Sequence, residues 1–249
     1  MTYTATISPD YNPNHLAGWY IFNTWVQKQL DIHCHFELLS SFEEQTKAIN
    51  SGSIDLIYAN PFAAATLIRE HGFLPVATAE GKQDETIIAT AEESPLNSID
   101  DLTAGLKIAT TNSPEVHLMG MIMLESADLN SRNCSAMYQD NFVLVAKQLL
   151  QGKADIGFFL KAAYENLSGL VTRQLKVLLT SEINVIQHTL LIAPSLQEHH
   201  QALTDALVAM PNNPSGASCL ASMELTGWSA VQQEEAEFMI DLMDTLVVE

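Results

Sequence analysis

The sequence is poor in positive charge. Only 11 Lys and Arg stand against 30 Asp and Glu, a formal net charge of −19 over 249 residues. A field of that sign repels polyanions and offers few cations to neutralise phosphates, which argues against nucleic acid and anionic membrane as partners. It does not exclude a small anion, because backbone N–H groups at a helix N-terminus can hold one locally. Cysteine is scarce too. Cys34, Cys134 and Cys219 are odd in number and show no C-x-x-C spacing, so neither a disulfide framework nor a zinc site is indicated and buried free thiols are expected. No apolar run approaches the ~20 residues needed to cross a bilayer, so no membrane insertion is expected. The opening "MTYTATISPD" has no charged stretch leading into an apolar one, as an export signal would. As written the chain is expected to be soluble and cytoplasmic, or periplasmic if a leader has been trimmed away.

The common catalytic signatures are missing as well. There is no G-x-S-x-G, no P-loop and no G-x-G-x-x-G, and the run Glu198 to His200 is not H-E-x-x-H. His33 and His35 fall on one face of a strand with Cys34 on the other, and no third ligand follows at a readable spacing. No metal and no cofactor are expected.

What is present is the composition of a folded domain: 47% apolar and 16% charged residues. The length suits one large domain or two small lobes. "YTATIS" alternates like a strand, "PDYNPN" carries turn chemistry, and "HLAGWYIFNTWVQKQL" has helical spacing. "IHCHFELL" is strand-like and "SFEEQTKAINSG" is an amphipathic helix stopped by Gly52. "IDLIYA" is a short continuous apolar run, as in a strand buried on both faces. In "NPFAAATLIREHG", Asn60 is the N-cap, Pro61 the first helical residue and Gly72 the stop.

"FLPVAT" through "ETIIAT" is extended, and "SPLNSIDDLTAG" is a loop with one short helix. A second series then begins. "LKIAT" is a strand, "TNSPEVHLMGMIMLESA" leads through Pro114 into a helix, and "QDNFVLVAKQLLQGKADIGFF" is a capped helix followed by a buried strand. "INVIQHTLLIAP" is strand-like. The tail holds two helical patterns, "LQEHHQALTDALVAM" and "VQQEEAEFMIDLMDTLVV", with "PNNPSG" between them as a surface loop.

Strands alternating with helices predict an α/β protein with mainly parallel sheets. One unit is written twice. "INSGSIDLIYANPF" and "LLQGKADIGFFLKA" each run a helix into Gly, then Asp, then an apolar burst with an aromatic: Gly52, Asp55 and Tyr58 against Gly152, Asp155 and Phe158. The repeat predicts two lobes, each closing one sheet, with strand ends facing a shared ligand cleft.

These stretches carry a resemblance. "AINSGSIDLIYANPFAAATLIREHGFLPVA", "SPLNSIDDLTAGLKIAT" and "VAKQLLQGKADIGFF", roughly Ser41 to Phe159, resemble the phosphonate/phosphate-type substrate-binding proteins of ABC transporters, which have the type 2 periplasmic-binding-protein fold. The resemblance implies lobe one from residues 1–82 plus 188–249, an inserted lobe two from 83–187, and hinge closure over a small ligand.

It also shows departures. Where phosphonate binders carry Ser-Thr-Ser at the start of a lobe-two helix, this chain has "SPEVHLMG", which places Glu115, Val116 and His117 there. A carboxylate at the positive end of that helix is worth about 0.3–1 kcal/mol and repels an incoming dianion. The family's Ser-His pair before the second repeat aligns with Asn141 and Phe142. Phosphonate is therefore not carried across as the ligand.

The expected cleft lining is Tyr11 after the first strand, Tyr58 and Asn60 at the end of a lobe-one strand, and Thr110, Thr111, Asn112 and Ser113 at the end of a lobe-two strand. Glu115, His117, the helix cap Asn141, and His188 in the strand expected to cross back complete the set. Tyr58 reads equally as a core aromatic, and Asn60 as a simple cap. The leading expectation is a solute-binding protein or sensor, read by a transporter or signalling partner. The alternative is a dehydratase-like cytosolic enzyme on the same fold with Glu115 and His117 as acid and base. Residues two apart on a helix point about 200° from one another, so that pair requires Glu115 to lie in the loop.

Overall fold

The computed structural model describes residues 2–11, 13–82, 84–182 and 186–247. The chain divides into two compact units, Met1–Gln83 with Gln187–Met243, and Asp84–Ile186 with Asp244–Glu249. Gln83, where the expected second lobe begins, lies outside the described residues, as do residues 183–185 of the strand-like "INVIQHTLLIAP".

The first unit contains β1 (Thr2–Ile7), α1 (Leu16–Leu30), β2 (His33–Phe36), α2 (Phe42–Asn50), β3 (Leu56–Ala59), α3 (Pro61–His71) and β4 (Leu74–Ala79). The second holds β5 (Thr86–Ala91), β6 (Lys107–Thr111), α4 (Pro114–Glu125), β7 (Ser135–Gln139), α5 (Phe142–Leu150), β8 (Ile156–Leu160), α6 (Lys161–Glu165), α7 (Gly169–Thr172) and β9 (Leu175–Thr180). The chain then returns through β10 (Thr189–Ile192), α8 (His200–Val208), α9 (Pro214–Ser222), β11 (Trp228–Ala230) and α10 (Gln233–Val247).

One sheet has the order β11-β4-β10-β3-β1-β2 and the other β7-β6-β8-β5-β9. Each is mixed, which corrects the expectation of mainly parallel sheets. The β2–β1–β3 and β7–β6–β8 sets are parallel, as helical crossovers dictate. β10 and β5 run antiparallel to their neighbours because they do not arrive through such a crossover.

A second correction concerns "PNNPSG". Asn213 accepts from the Gly216 N–H at 2.6 Å and Pro214 opens α9, so this stretch starts a helix rather than a loop. The edge strands β7, β9 and β11 also lay outside the sequence reading. The first two have exposed alternate residues and the third is only 3 residues long.

The repeat holds in the coordinates. α2 and α5 each span 9 residues, capped by Ser41 on the Glu44 N–H at 3.2 Å and by Asn141 on the Leu144 N–H at 3.0 Å. Gly52 and Gly152 then take the left-handed conformation at φ 65° and 63° that favours glycine. The aspartates act on the neighbouring strand. Asp55 donates its N–H to the Thr4 carbonyl at 2.8 Å, and its Oδ2 accepts the Thr4 N–H at 2.9 Å. Asp155 does the same to Lys107, at 2.9 and 2.8 Å. Each aspartate thus supplies the first rung of a parallel pair and sets its register, Ala5 opposite Leu56 and Ile108 opposite Ile156.

Side-chain alternation builds the second core on both faces of its sheet. Ile87, Ala89, Ala109 and Phe159 meet Val145 and Leu149 of α5, while Ile88, Ile108, Ile156 and Phe158 meet Val116 and Leu124 of α4. Gly120 lets α4 lie against Phe158, where a Cβ would fall into the ring. In the first unit α1, α8 and α9 cover Ala5, Ile7, Leu56 and Leu190, and α3 packs against β3 and β10.

All three cysteines are free; Cys34 and Cys219 are buried and Cys134 is half-buried. Burial, aided by the charge of Asp55, pushes the Cys34 thiol up to about 12, and burial alone takes Cys219 to about 11. Such thiols are inert at neutral pH. No helix among the described residues is long and apolar enough to cross a membrane.

Asp55 also accepts the Ser195 hydroxyl at 2.6 Å through Oδ1, and is half-buried. Asp155 is exposed. Urea denaturation should therefore show Asp55→Ala losing about 2 kcal/mol or more, the range for hydrogen bonds to a charged group, and Asp155→Ala clearly less. Equal losses would show that the two aspartates are not acting through their different surroundings.

Candidate functional site

In the first unit the strand ends bring separated segments together. β1, β3 and β4 all run toward one edge, and β10 starts there, with Thr189 opposite Ala59 and Thr78. Tyr58 sits near the end of β3, half-buried, and His188 immediately precedes β10 rather than lying within it. The His188 ring stacks on Tyr58 at 5.3 Å, and its Nε2 lies 3.1 Å from Asp10 Oδ2. Both side chains of that pair are largely buried, 12% and 5% exposed.

Asp10 was not among the expected residues. The signal for it was its place next to Tyr11 in the loop after β1, where the Tyr11 N–H returns to the Ser8 carbonyl at 3.2 Å. Trp19 and Trp228 were missed as well, and both back Tyr58, at 4.9 and 5.7 Å. Nothing local marks Trp228. It reaches the edge only because β11 pairs with β4.

Asn60 is 1% exposed and serves as a cap, accepting the Ala63 N–H at 2.9 Å, while its own N–H donates to Ser8 Oγ at 2.9 Å. Beneath Tyr58 lies a cavity of ≈ 10 Å³ bordered by Thr6, Trp19, Phe22 and Asn23. That is room for about one water. The buried Asn23 Oδ1, which has no hydrogen-bond partner among the described residues, is the group such a water would satisfy.

In the second unit the expected residues gather where β6 and β7 end, on neighbouring parallel strands. Thr110, Thr111 and Ser113 are buried at 0%, 6% and 5% exposure, so of that run only Asn112 is exposed. Thr111 Oγ1 accepts the Ser113 N–H at 3.4 Å, and the Ser113 side chain makes no cap hydrogen bond. Asn141 is exposed and caps α5.

Glu115 and His117 do not form the acid–base pair that the enzyme alternative needs. α4 starts at Pro114, so both residues are helical and point about 200° apart. Glu115 is 4% exposed in the first turn. His117 instead lies against Tyr138 at 5.6 Å and Phe158 at 6.1 Å, and its Nδ1 is buried without a hydrogen-bond partner among the described residues. Burial holds its pKa below the ordinary 6.5. Among the described residues no group of His, Cys, Asp and Glu is arranged to hold a metal; His33 and His35 are exposed on one face of β2 and Cys34 is buried on the other.

A sequence model of the family described as ABC transporter, phosphonate, periplasmic substrate-binding protein matches residues 5–236. No curated protein matches the chain. Among solved structures it is similar to PhnD1 from Prochlorococcus marinus in complex with methylphosphonate, with TM-score 0.82, 14% identity and 98% of each chain covered. It is also similar to a Xanthomonas citri protein bound to chloride ion, with TM-score 0.81, 15% identity and 98% and 97% of the two chains covered. The periplasmic aliphatic sulphonate binding protein SsuA from Escherichia coli follows at TM-score 0.68 and 17% identity, with 100% of this chain and 89% of that one covered. At these identities the likeness is one of fold.

His117 makes a pH prediction. Because its folded pKa lies below 6.5, the unfolded chain takes up a proton that the folded chain resists, and stability falls as pH drops through that value. His117→Gln should flatten the loss of stability between about pH 6.5 and about pH 5 relative to wild type. Parallel profiles for the two proteins would show that His117 is not held neutral.

Proposed function

The chain belongs to the phosphonate-type family of periplasmic substrate-binding proteins of ABC transporters, and from that premise we propose that it holds its solute at the carboxyl edges of its two sheets. The observation that carries this reading is the convergence of Asp10, Tyr58 and His188, from three distant segments, on one strand edge. Open α/β sheets bind ligands at such edges. Tyr11 and Asn112 add further polar groups beside the strand ends. The buried Asn60, Thr110, Thr111 and Ser113 shape the turns behind them.

The family consists of binding proteins, and the diverging Glu115 and His117 give the enzyme alternative no geometry to stand on. A solute that touches both units favours the arrangement in which it does so, and it shifts the population only by its differential affinity. A transporter component would read that shift.

The solute in this reading is not a phosphonate dianion, although PhnD1 binds methylphosphonate. Glu115 occupies the first turn of α4, the positive end of the helix, where an anionic group would otherwise be held.

A thermal-shift screen of small metabolites tests the proposal, since a ligand at 100 times its dissociation constant stabilises the folded state by about 2.7 kcal/mol. Methylphosphonate should give no shift. For the compound that does, Tyr58→Ala should weaken binding about tenfold or more, a loss of about 1.4 kcal/mol, while circular dichroism shows the protein folded. Unchanged affinity in a folded Tyr58→Ala protein would place the solute elsewhere.

A further inference from the structure

The strand edges assigned to the solute are lined by carboxylates and nearly devoid of cations. In the first unit Asp10 follows β1, Glu37 follows β2 and Glu80 follows β4; the cation there is Lys82, which is exposed. In the second, Glu115 follows β6 and Asp140 follows β7, with the exposed Lys161 after β8. No arginine stands at either edge, and from Gln187 to the C-terminus the chain has no Lys or Arg. Two of these carboxylates are deep. The Asp10 side chain is 5% exposed and Glu115 is 4% exposed.

A buried carboxylate is costly unless donors or a cation meet it. At about 4 Å and an effective dielectric near 20, a unit positive charge gains roughly 4 kcal/mol from one such group, and an anion loses as much. Tyr58, backed by Trp19 and Trp228, adds aromatic surface beside Asp10. Ring quadrupoles favour a cation and not an anion. Trp228 is 1% exposed, meets Tyr58 edge-on, and its indole N–H has no hydrogen-bond partner among the described residues. That N–H is a donor left for an acceptor atom elsewhere on the same solute.

We infer that the solute is a small organic cation, an amine whose ammonium group lies beside the Asp10 or the Glu115 carboxylate. This inference rests on the reading that the solute occupies the strand edges.

The test uses the full chain and a fixed set of probes: putrescine, spermidine and choline as cations, methylphosphonate and sulfate as anions, and glucose and glycerol as neutral compounds. Thermal shift ranks them, and calorimetry at low salt and at about 0.5 M NaCl gives affinities, since salt screens charge attraction. At least one ammonium compound should raise the melting temperature, bind several-fold more weakly at high salt, and lose about tenfold in affinity in Asp10→Asn or Glu115→Gln. Both variants keep the shape of the side chain, and the salt series needs no variant at all.

If a neutral or anionic probe binds, the ammonium compounds do not, and Tyr58→Ala abolishes that binding, the cation inference fails while the strand-edge reading stands. Ammonium binding that survives high salt and both charge removals also overturns the inference. Binding that is indifferent to Tyr58→Ala overturns the strand-edge reading itself, and no shift with any probe counts against both.

Discussion

Everything in this molecule hangs on two aspartates that each exchange a pair of hydrogen bonds with the first residue of a neighbouring parallel strand. A parallel ladder starts with no hairpin to set its register, so a one-residue slip would turn every inward side chain to the other face. Asp55 on Thr4 and Asp155 on Lys107 remove that freedom with a backbone and a carboxylate contact at the same point. Once the registers are set, Ile57 and Phe158 fall on buried faces, and the strand ends line up at the edge where Tyr58 and Thr111 are found. The repeated Gly-x-x-Asp is thus the means by which each sheet is aligned.

The same constraint explains how residues distant in the chain become neighbours. Asp10 and His188 are 178 positions apart, yet their side chains meet at 3.1 Å because β1, β3 and β10 are adjacent strands and the register of each is fixed. Tyr58 lies between them in the fold, stacked on His188 and supported by two tryptophans. In the second unit the first turn of α4 is placed by Gly120, which lets the helix approach Phe158, and so Glu115 is set deep at the end of β6. In both units the edge is shaped by packing from behind. Its chemistry is mostly that of acids, hydroxyls and aromatic rings.

The sequence was legible where local chemistry decides conformation. Asn60, Pro61 and Gly72 delimit α3 as cap, first residue and left-handed stop, each for a reason confined to a few residues. It was misleading at "PNNPSG", where turn-forming composition belongs to a capped helix start: Asn213 and Pro214 suit either role, and only packing of α9 against α1 selects the helix. The site was legible in part. Tyr11, Tyr58, Asn112 and His188 lie at strand ends as their order in the chain suggested, whereas Thr110 and Ser113 turned out buried. Asp10, Trp19 and Trp228 carry no local mark of their roles.

By itself the sequence determined the class of the protein: α/β, repeated once, strongly acidic, and of the substrate-binding family that matches residues 5–236. Periodicity, caps and the Gly-x-x-Asp unit are local or short-range features, so they survive without knowledge of the fold. Only the tertiary structure decided which strands run antiparallel, that Glu115 is helical and diverges from His117, and that Asp10 meets His188 beside Tyr58. Those outcomes depend on strand order and on contacts between residues far apart in the chain, which no short window of sequence contains.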